Sequence, residues 1–65
     1  MLKTITRAEL VQAGGDPEAT HCVFDALGDL YFCVHAKRDE PREEMFWMAR
    51  KCEMKRVVPD LKVVA

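Results

Sequence analysis

Apolar positions near the start of the chain mark the beginning of a helix. Ile5 and Leu10 have the spacing of a hydrophobic staple, the apolar pair that brackets a helix N-terminus. Between them, Thr6 and Glu9 have the spacing of a capping box, in which each side chain accepts a hydrogen bond from the other residue's backbone N–H. This pattern predicts a helix over residues 7–13. A short strand, Met1–Ile5, is predicted before this helix, and Gly14 is predicted to end it.

The next apolar positions fit either a helix or a hairpin. Asp16-Pro17 is a good helix start, and apolar residues follow at helical spacing, so a helix over 17–27 stays open. The aromatic and β-branched stretches 21–24 and 30–34 favour two strands instead, with a turn at 27–29. We favour the hairpin, because one register collects its apolar side chains on one face. That register pairs Cys22 with Val34, Phe24 with Phe32 and Ala26 with Leu30, and turns His21, Asp25, Tyr31, Cys33 and His35 to the other face.

A second helix is predicted over residues 41–53, after Asp39-Glu40. Pro41 stands in its first turn and acidic residues follow, which suits the positive end of the helix dipole. Its apolar stripe at helical spacing is expected to pack on the hairpin. The stripe comprises Met45, Met48, Ala49 and Cys52, and the hairpin face comprises Phe24, Phe32 and Val34.

Trp47 and Met54 fall on the other side of this helical wheel, about 200° and 180° from Met45. An exposed tryptophan beside a methionine, with Arg50 and Lys51 nearby, has the composition of a protein-contact surface. The alternative is that a terminal segment of the same chain covers Trp47. The predicted interaction residues are Trp47, Met54, Arg50 and Lys51.

The last apolar positions, within residues 56–64, predict an extended segment. Pro59 interrupts it, which favours an edge strand. The predicted order is therefore (β)-α-β-β-α-β in a single α+β domain over residues 1–65, with the hairpin packed by the second helix. If the leading strand joins the sheet, a miniature ferredoxin-like fold is expected; otherwise a hairpin with two helices and an edge strand.

Length and composition narrow the class of protein. Sixty-five residues, 49% of them apolar, with a net charge of −1, are typical of one globular domain. No apolar run suits a membrane span or a signal peptide. Three widely spaced cysteines are expected to stay reduced thiols. We therefore expect a cytoplasmic protein, and a chain with a start methionine suits a small accessory protein of the kind that phages and plasmids encode.

Basic residues concentrate in the second half of the chain. Residues 1–36 carry a net charge of −3, whereas residues 37–65 carry +2. The basic end of the second helix predicts an alternative function, weak nucleic-acid binding, although acidic residues interleaved there oppose phosphate contacts. The residues for this alternative are Arg50, Lys51, Lys55 and Arg56.

Candidate chemistry is sparse. His21, Cys33 and His35 would share one hairpin face in the favoured register and could hold zinc or copper, but no chelating pair of ligands is present. The only conceivable nucleophilic set joins Cys33 to a histidine and Asp25, since the chain has no serine. We therefore predict no metal, no cofactor and no catalytic residue. The favoured function is a non-enzymatic protein–protein interaction module: an adaptor, an inhibitor or a self-associating protein, with a homodimer plausible and no membrane partner.

Overall fold

The computed structural model describes residues 2–38 and 41–60. A four-stranded mixed sheet carries two short helices, and the predicted α+β class and element order are confirmed. The strand order is β1-β4-β2-β3, with β1 parallel to β4 and the other neighbours antiparallel. The elements are β1 (Lys3–Thr6), α1 (Arg7–Gln12), β2 (His21–Phe24), β3 (Leu30–Val34), α2 (Glu43–Ala49) and β4 (Glu53–Val58).

The sheet matches the ferredoxin-like arrangement only in its second half. Strands β3 and β4 are parallel with β2 between them, so β3-α2-β4 is a split βαβ unit. Strands β1 and β2 run in opposite directions on either side of β4, so β1-α1-β2 is not such a unit. The leading strand does pair in the sheet, although its first predicted residue, Met1, lies outside the described residues.

Helix α1 begins as its sequence predicts. The Glu9 N–H donates to Thr6 Oγ1 at 3.1 Å, and the Thr6 N–H donates to Glu9 Oε1 at 3.2 Å, completing the capping box. The helix ends in a Schellman motif: Gly14, with φ +89°, donates to the Val11 carbonyl, and Gly15 donates to the Leu10 carbonyl. Both ends of α1 are therefore specified by local sequence.

Removing the cap should weaken the fold measurably. Thr6→Ala is expected to lower the free energy of unfolding by about 0.5–2 kcal/mol, because it leaves a helix N–H without its acceptor. Glu9→Ala should cost less. The hydrogen bonds from Thr6 lower the pKa of Glu9, so the Glu9 contribution should be lost as pH falls through that lowered pKa. Urea denaturation at neutral and acidic pH tests this, and unchanged midpoints in both variants would contradict it.

The hairpin forms, but its predicted register is wrong. Cys22 lies opposite Cys33 and Val23 opposite Phe32, and the register shifts between Val23 and Phe24. The prediction assumed that one face of the hairpin meets solvent. Strand β2 instead lies inside the sheet between β3 and β4, and all four of its residues are buried. A strand covered on both faces gives no alternation from which a register can be chosen.

Strand β4 is an interior strand, so the predicted edge position is also wrong. It starts at Glu53, inside the segment predicted to be helix 41–53, and pairs with both β1 and β2. Pro59 falls just after the strand and so removes no hydrogen bond from the ladder. Residues 61–64 of the predicted segment, and Asp39-Glu40 at the predicted helix start, lie outside the described residues.

Apolar side chains pack on both faces of the sheet, because successive residues of a strand point to opposite sides. Cys22 belongs to one buried cluster and Val23 to the other. The first, which we call the α1 cluster, contains Leu10; the second, the α2 cluster, contains Met54 and is lined by Trp47. Neither described helix is long and apolar enough to cross a membrane.

Candidate interaction surface

Trp47 faces the sheet, so the predicted orientation of α2 is wrong. The Trp47 ring is half-buried against the α2 cluster, and its centroid lies 4.9 Å from that of Phe32. Met54, predicted to share an exposed surface with Trp47, is only 2% exposed and lies in the same cluster. Turning the indole inward removes more apolar surface from water than turning a methionine inward. Because Met54 is buried, it is unable to contact a partner.

Three of the four residues that were predicted to form the core stripe are exposed instead, and the fourth, Cys52, is half-buried against the α2 cluster as predicted. Met45 is 73% exposed, Met48 58% and Phe46 53%, and Ala49 beside them is exposed as well. We call these four residues the outer face of α2. A helix that is apolar on both sides is typical of one buried on both sides. Within the described residues, nothing packs on this outer face of α2.

An aromatic group joins the outer face of α2 to strand β3. The Phe46 and Trp47 rings meet edge to face, with centroids 4.9 Å apart. Tyr31, 61% exposed on β3, lies 5.8 Å from Trp47, and the Arg50 guanidinium carbon lies 5.1 Å from the Phe46 centroid. These contacts restrict the exposed rings to few orientations, which lowers the entropy cost of binding through them.

The charged residues of α2 separate by sign. Glu43 and Glu44 form its first turn, whereas Arg50 and Lys51 follow its last residue. Lys51 has φ +63°, and its N–H and that of Cys52 donate to the Met48 and Trp47 carbonyls, so α2 also ends in a Schellman motif. The outer face of α2 is thus bounded by acid at one end and base at the other.

The four residues of the nucleic-acid alternative do not form one surface. Lys55 and Arg56 are neighbours in β4 and so point to opposite faces of the sheet. Lys55 Nζ lies 4.6 Å from the Phe24 ring centroid and 3.7 Å from Glu53 Oε1. Arg50 covers Phe46, on another part of the molecule. The premise that these residues form the basic end of the second helix is wrong, because β4 has already begun at Glu53.

A different set of cations does converge. Arg56 lines a groove of about 420 Å³ together with Arg7 at the start of α1 and Lys37 and Arg38 after β3. None of these four side chains forms an ion pair within residues 2–38 and 41–60. Glu18 and His21 line the same groove. The adjacent pair Lys37-Arg38 was the signal in the sequence that could have indicated this site.

The candidate metal and nucleophile residues contact other groups of the chain. His35 Nε2 pairs with Asp16 Oδ2 at 3.1 Å, and His21, 1% exposed, places Nδ1 2.9 Å from Thr20 Oγ1. Cys33 Sγ accepts a hydrogen bond from the Asp16 N–H at 3.3 Å. Across the described part of the chain, no group of three His, Cys, Asp or Glu residues is arranged to hold a metal ion. The Asp25 carboxylate accepts hydrogen bonds from the backbone N–H groups of Leu27 and Asp29 in its own turn.

The three thiols should differ in reactivity. Burial raises the pKa of Cys22 to about 11, and this side chain is fully buried, whereas Cys33 and Cys52 are half-buried. We expect a thiol reagent to modify Cys52 and Cys33 in the folded protein and Cys22 only at the rate of unfolding, because the reactive form is the thiolate. Mass spectrometry of timed samples checks the order. Modification of Cys22 at the rate of Cys52 would contradict its placement in the core.

Within residues 2–38 and 41–60, the surface thus carries an apolar helix face and a cationic groove. In comparisons with known proteins, no family model, curated protein or solved structure matches the chain.

Proposed function

We propose that the chain is a non-enzymatic protein–protein interaction module of the cytoplasm, an accessory, adaptor or inhibitor protein. One observation supports it most: three large apolar side chains, those of Met45, Phe46 and Met48, are each more than half exposed along a helix of seven residues. Contiguous exposed apolar surface of this kind is typical of binding sites. The cytoplasm is proposed because the three cysteines are unpaired thiols.

The composition of the outer face of α2 suits protein recognition. Phe46 is an aromatic anchor held between Trp47 and Arg50, and such anchors dominate the energetics of many interfaces. Met45 and Met48 have flexible, polarisable side chains that adapt to a partner's shape. Tyr31 extends the surface with an aromatic ring and a hydroxyl group. The proposed interaction site therefore comprises the outer face of α2, Tyr31 and Arg50, in place of the predicted Trp47 and Met54.

Site-specific photo-crosslinking tests the proposal. A photoreactive phenylalanine analogue is placed at Met45, on the outer face of α2, and in a control variant at Val11, which is 50% exposed on α1. Irradiation in the source cells is expected to give a protein adduct from position 45 at several times the yield from position 11. Equal yields, or no protein adduct at position 45, would overturn the proposal.

Nucleic-acid binding is a second candidate, favoured by the groove of Arg7, Lys37, Arg38 and Arg56. Four cations without carboxylate partners among the described residues could each neutralise one phosphate. If this function holds, binding to a fluorescent oligonucleotide should weaken steeply with salt, and Arg38→Ala/Arg56→Ala should reduce the salt slope by about 2. Arg50→Ala/Lys51→Ala is the matched control and should bind like the wild type. A salt-independent or undetectable signal would exclude the groove as a nucleic-acid site.

A further inference from the structure

We infer that the cationic groove binds a compact chain of linked phosphate groups, such as inorganic triphosphate or the phosphate end of a nucleoside triphosphate. The cationic groove is the recess of about 420 Å³ that Arg7, Lys37, Arg38 and Arg56 line. This inference goes beyond the proposed function, since none of these four residues lies on α2. The observations behind it are the convergence of the four cations, the fixed backbone that carries them and the size of the recess.

Three separate segments of the chain bring the four cations together. Arg56 lies in β4 directly opposite His21 of β2, so both side chains point to the same face of the sheet. Arg7 follows directly after β1, whose last residue is paired with the last residue of β4. The pair Lys37-Arg38 follows β3. The four cations therefore belong to one site only in the folded chain.

Thr20 holds two of these segments in place. Its Oγ1 accepts the N–H of Ala36 at 2.7 Å, and its backbone carbonyl accepts the N–H of Val57 at 2.9 Å. Ala36 precedes Lys37-Arg38 and Val57 follows Arg56, so one residue fixes the backbone beside three of the four cations. A site whose backbone is held before the ligand arrives loses less conformational entropy on binding.

The charges in the groove suit a ligand with several negative charges. The four cations form no ion pair within residues 2–38 and 41–60, so their mutual repulsion is not offset there. A phosphate monoester carries about −1.5 to −2 charges near pH 7, so a chain of two or three phosphate groups balances all four cations. Three of the four are arginines, which bind phosphate oxygens through two parallel N–H bonds. Glu18 is the one carboxylate among the described residues that line the groove.

The size and lining of the groove favour a compact ligand over a nucleic acid. Its volume of about 420 Å³ lies within the range of about 300–1,000 Å³ that is usual for small-molecule sites. Among the described residues, no aromatic side chain lines it, whereas sites for single strands usually stack bases on aromatic rings. A duplex is usually read by a helix or a β-ribbon that enters its major groove, and these cations surround a recess instead. Nucleic-acid binding is therefore the outcome that the experiment has to separate.

Isothermal titration calorimetry with inorganic triphosphate tests the inference, in buffer without Mg²⁺ because this ion itself binds phosphate groups. The wild type should bind one triphosphate per chain, with an affinity that falls as salt rises. Arg38→Gln/Arg56→Gln should weaken binding by about tenfold for each arginine, because hydrogen bonds between charged groups are the strong ones. The control Arg50→Gln/Lys51→Gln removes the same charge away from the groove and should bind like the wild type.

Three further ligands identify the source of the phosphate groups. Inorganic phosphate should bind at least about tenfold more weakly than triphosphate, because it offers the arginines fewer oxygens. A 5′-phosphorylated trinucleotide also carries three phosphate groups but spaces them along its backbone, so it should bind more weakly as well. Adenosine triphosphate decides between two ligands that both support the inference. Affinity equal to that of triphosphate indicates a nucleoside triphosphate, and much weaker binding indicates free polyphosphate.

Several results would overturn the inference. They are a wild type that does not bind triphosphate, a folded Arg38→Gln/Arg56→Gln protein that binds it equally well, and equal binding of inorganic phosphate. Tighter binding of the trinucleotide would assign the groove to nucleic acid. Binding that occurs only in Asp39→Asn/Glu40→Gln would also overturn it, because the chain's own carboxylates after Arg38 would then neutralise the groove. If circular dichroism shows that the double arginine variant is unfolded, Lys37→Gln/Arg38→Gln, which leaves all four strands unchanged, takes its place.

Discussion

Trp47→Ala is expected to lower the free energy of unfolding by about 3 kcal/mol, the lower end of the usual cost of truncating a large aromatic side chain, because the indole is half-buried. The indole closes the α2 cluster over Val23 and Met54 and contacts the Phe32 ring. Small domains have only about 0.05–0.15 kcal/mol of stability per residue, or about 3–10 kcal/mol for 65 residues, so this variant should lose roughly a third or more of its stability. Thermal melting followed by circular dichroism is the measurement.

The matched control is Met48→Ala on the same helix. Met48 is 58% exposed, so its truncation should change the free energy of unfolding of the monomer by no more than about 0.5 kcal/mol. If α2 were rotated by half a turn, Met48 would face the core and Trp47 would face solvent, so the expected effects of the two substitutions would be exchanged. A stable Trp47→Ala protein together with an unfolded Met48→Ala protein would therefore show that the methionine stripe is the core face.

Local signals predicted α1 because its boundaries depend on contacts within a few residues. Thr6 and Glu9 cap the helix, and Gly14 takes the left-handed conformation that ends it. The end of α2 uses the same Schellman geometry, but Lys51 occupies the left-handed position there. A lysine carries no signal of a helix end, since non-glycine residues seldom adopt that conformation. The predicted helix therefore ran on to residue 53, and the start of β4 was missed.

The candidate surface depended on a choice that the helical wheel alone does not make. Both sides of α2 are apolar, with Trp47 on one and Met45 and Met48 on the other. Periodicity identifies two apolar faces, and the sheet decides which one is covered. Strand β4 follows α2 closely and lies inside the sheet, so the helix is held over β4 with Trp47 inward. The wheel separated the two faces correctly and assigned them the wrong way round.

The sheet order was also beyond what local pattern determines. All of β2 is buried because β3 and β4 flank it and the α1 and α2 clusters cover its two faces. Three of its four residues, Cys22, Val23 and Phe24, form an unbroken apolar run, which is compatible with two registers. The bulge between Val23 and Phe24 allows Phe24 to lie opposite Leu30, a pairing outside the register that the other three residues of β2 share. The pair Lys37-Arg38, unlike these features, was visible in the sequence, but its meeting with Arg7 and Arg56 needs the fold.

Leu10→Ala is expected to lower the free energy of unfolding by about 2–5 kcal/mol. Leu10 is fully buried and is the residue through which α1 packs on the α1 cluster. Val11, the next residue on the same helix, is 50% exposed, so Val11→Ala should have a small effect and serves as the control. Equal losses in the two variants, measured by urea denaturation, would show that α1 does not pack through Leu10.

The contact between Gly15 and Leu10 can be tested by the coupling between substitutions at the two positions. A Cβ atom at Gly15 would lie 2.7 Å from Leu10 Cγ and 3.2 Å from Cys33 Sγ, so Gly15→Ala should cost about 1–3 kcal/mol by overpacking. In the Leu10→Ala background the added methyl group has room, so the same substitution should cost less or stabilise. The coupling is expected at about 0.5–3 kcal/mol, measured in a stabilising osmolyte that keeps the weakest variant folded. Additive effects would mean that α1 does not approach the sheet at Gly15 as closely as these distances require.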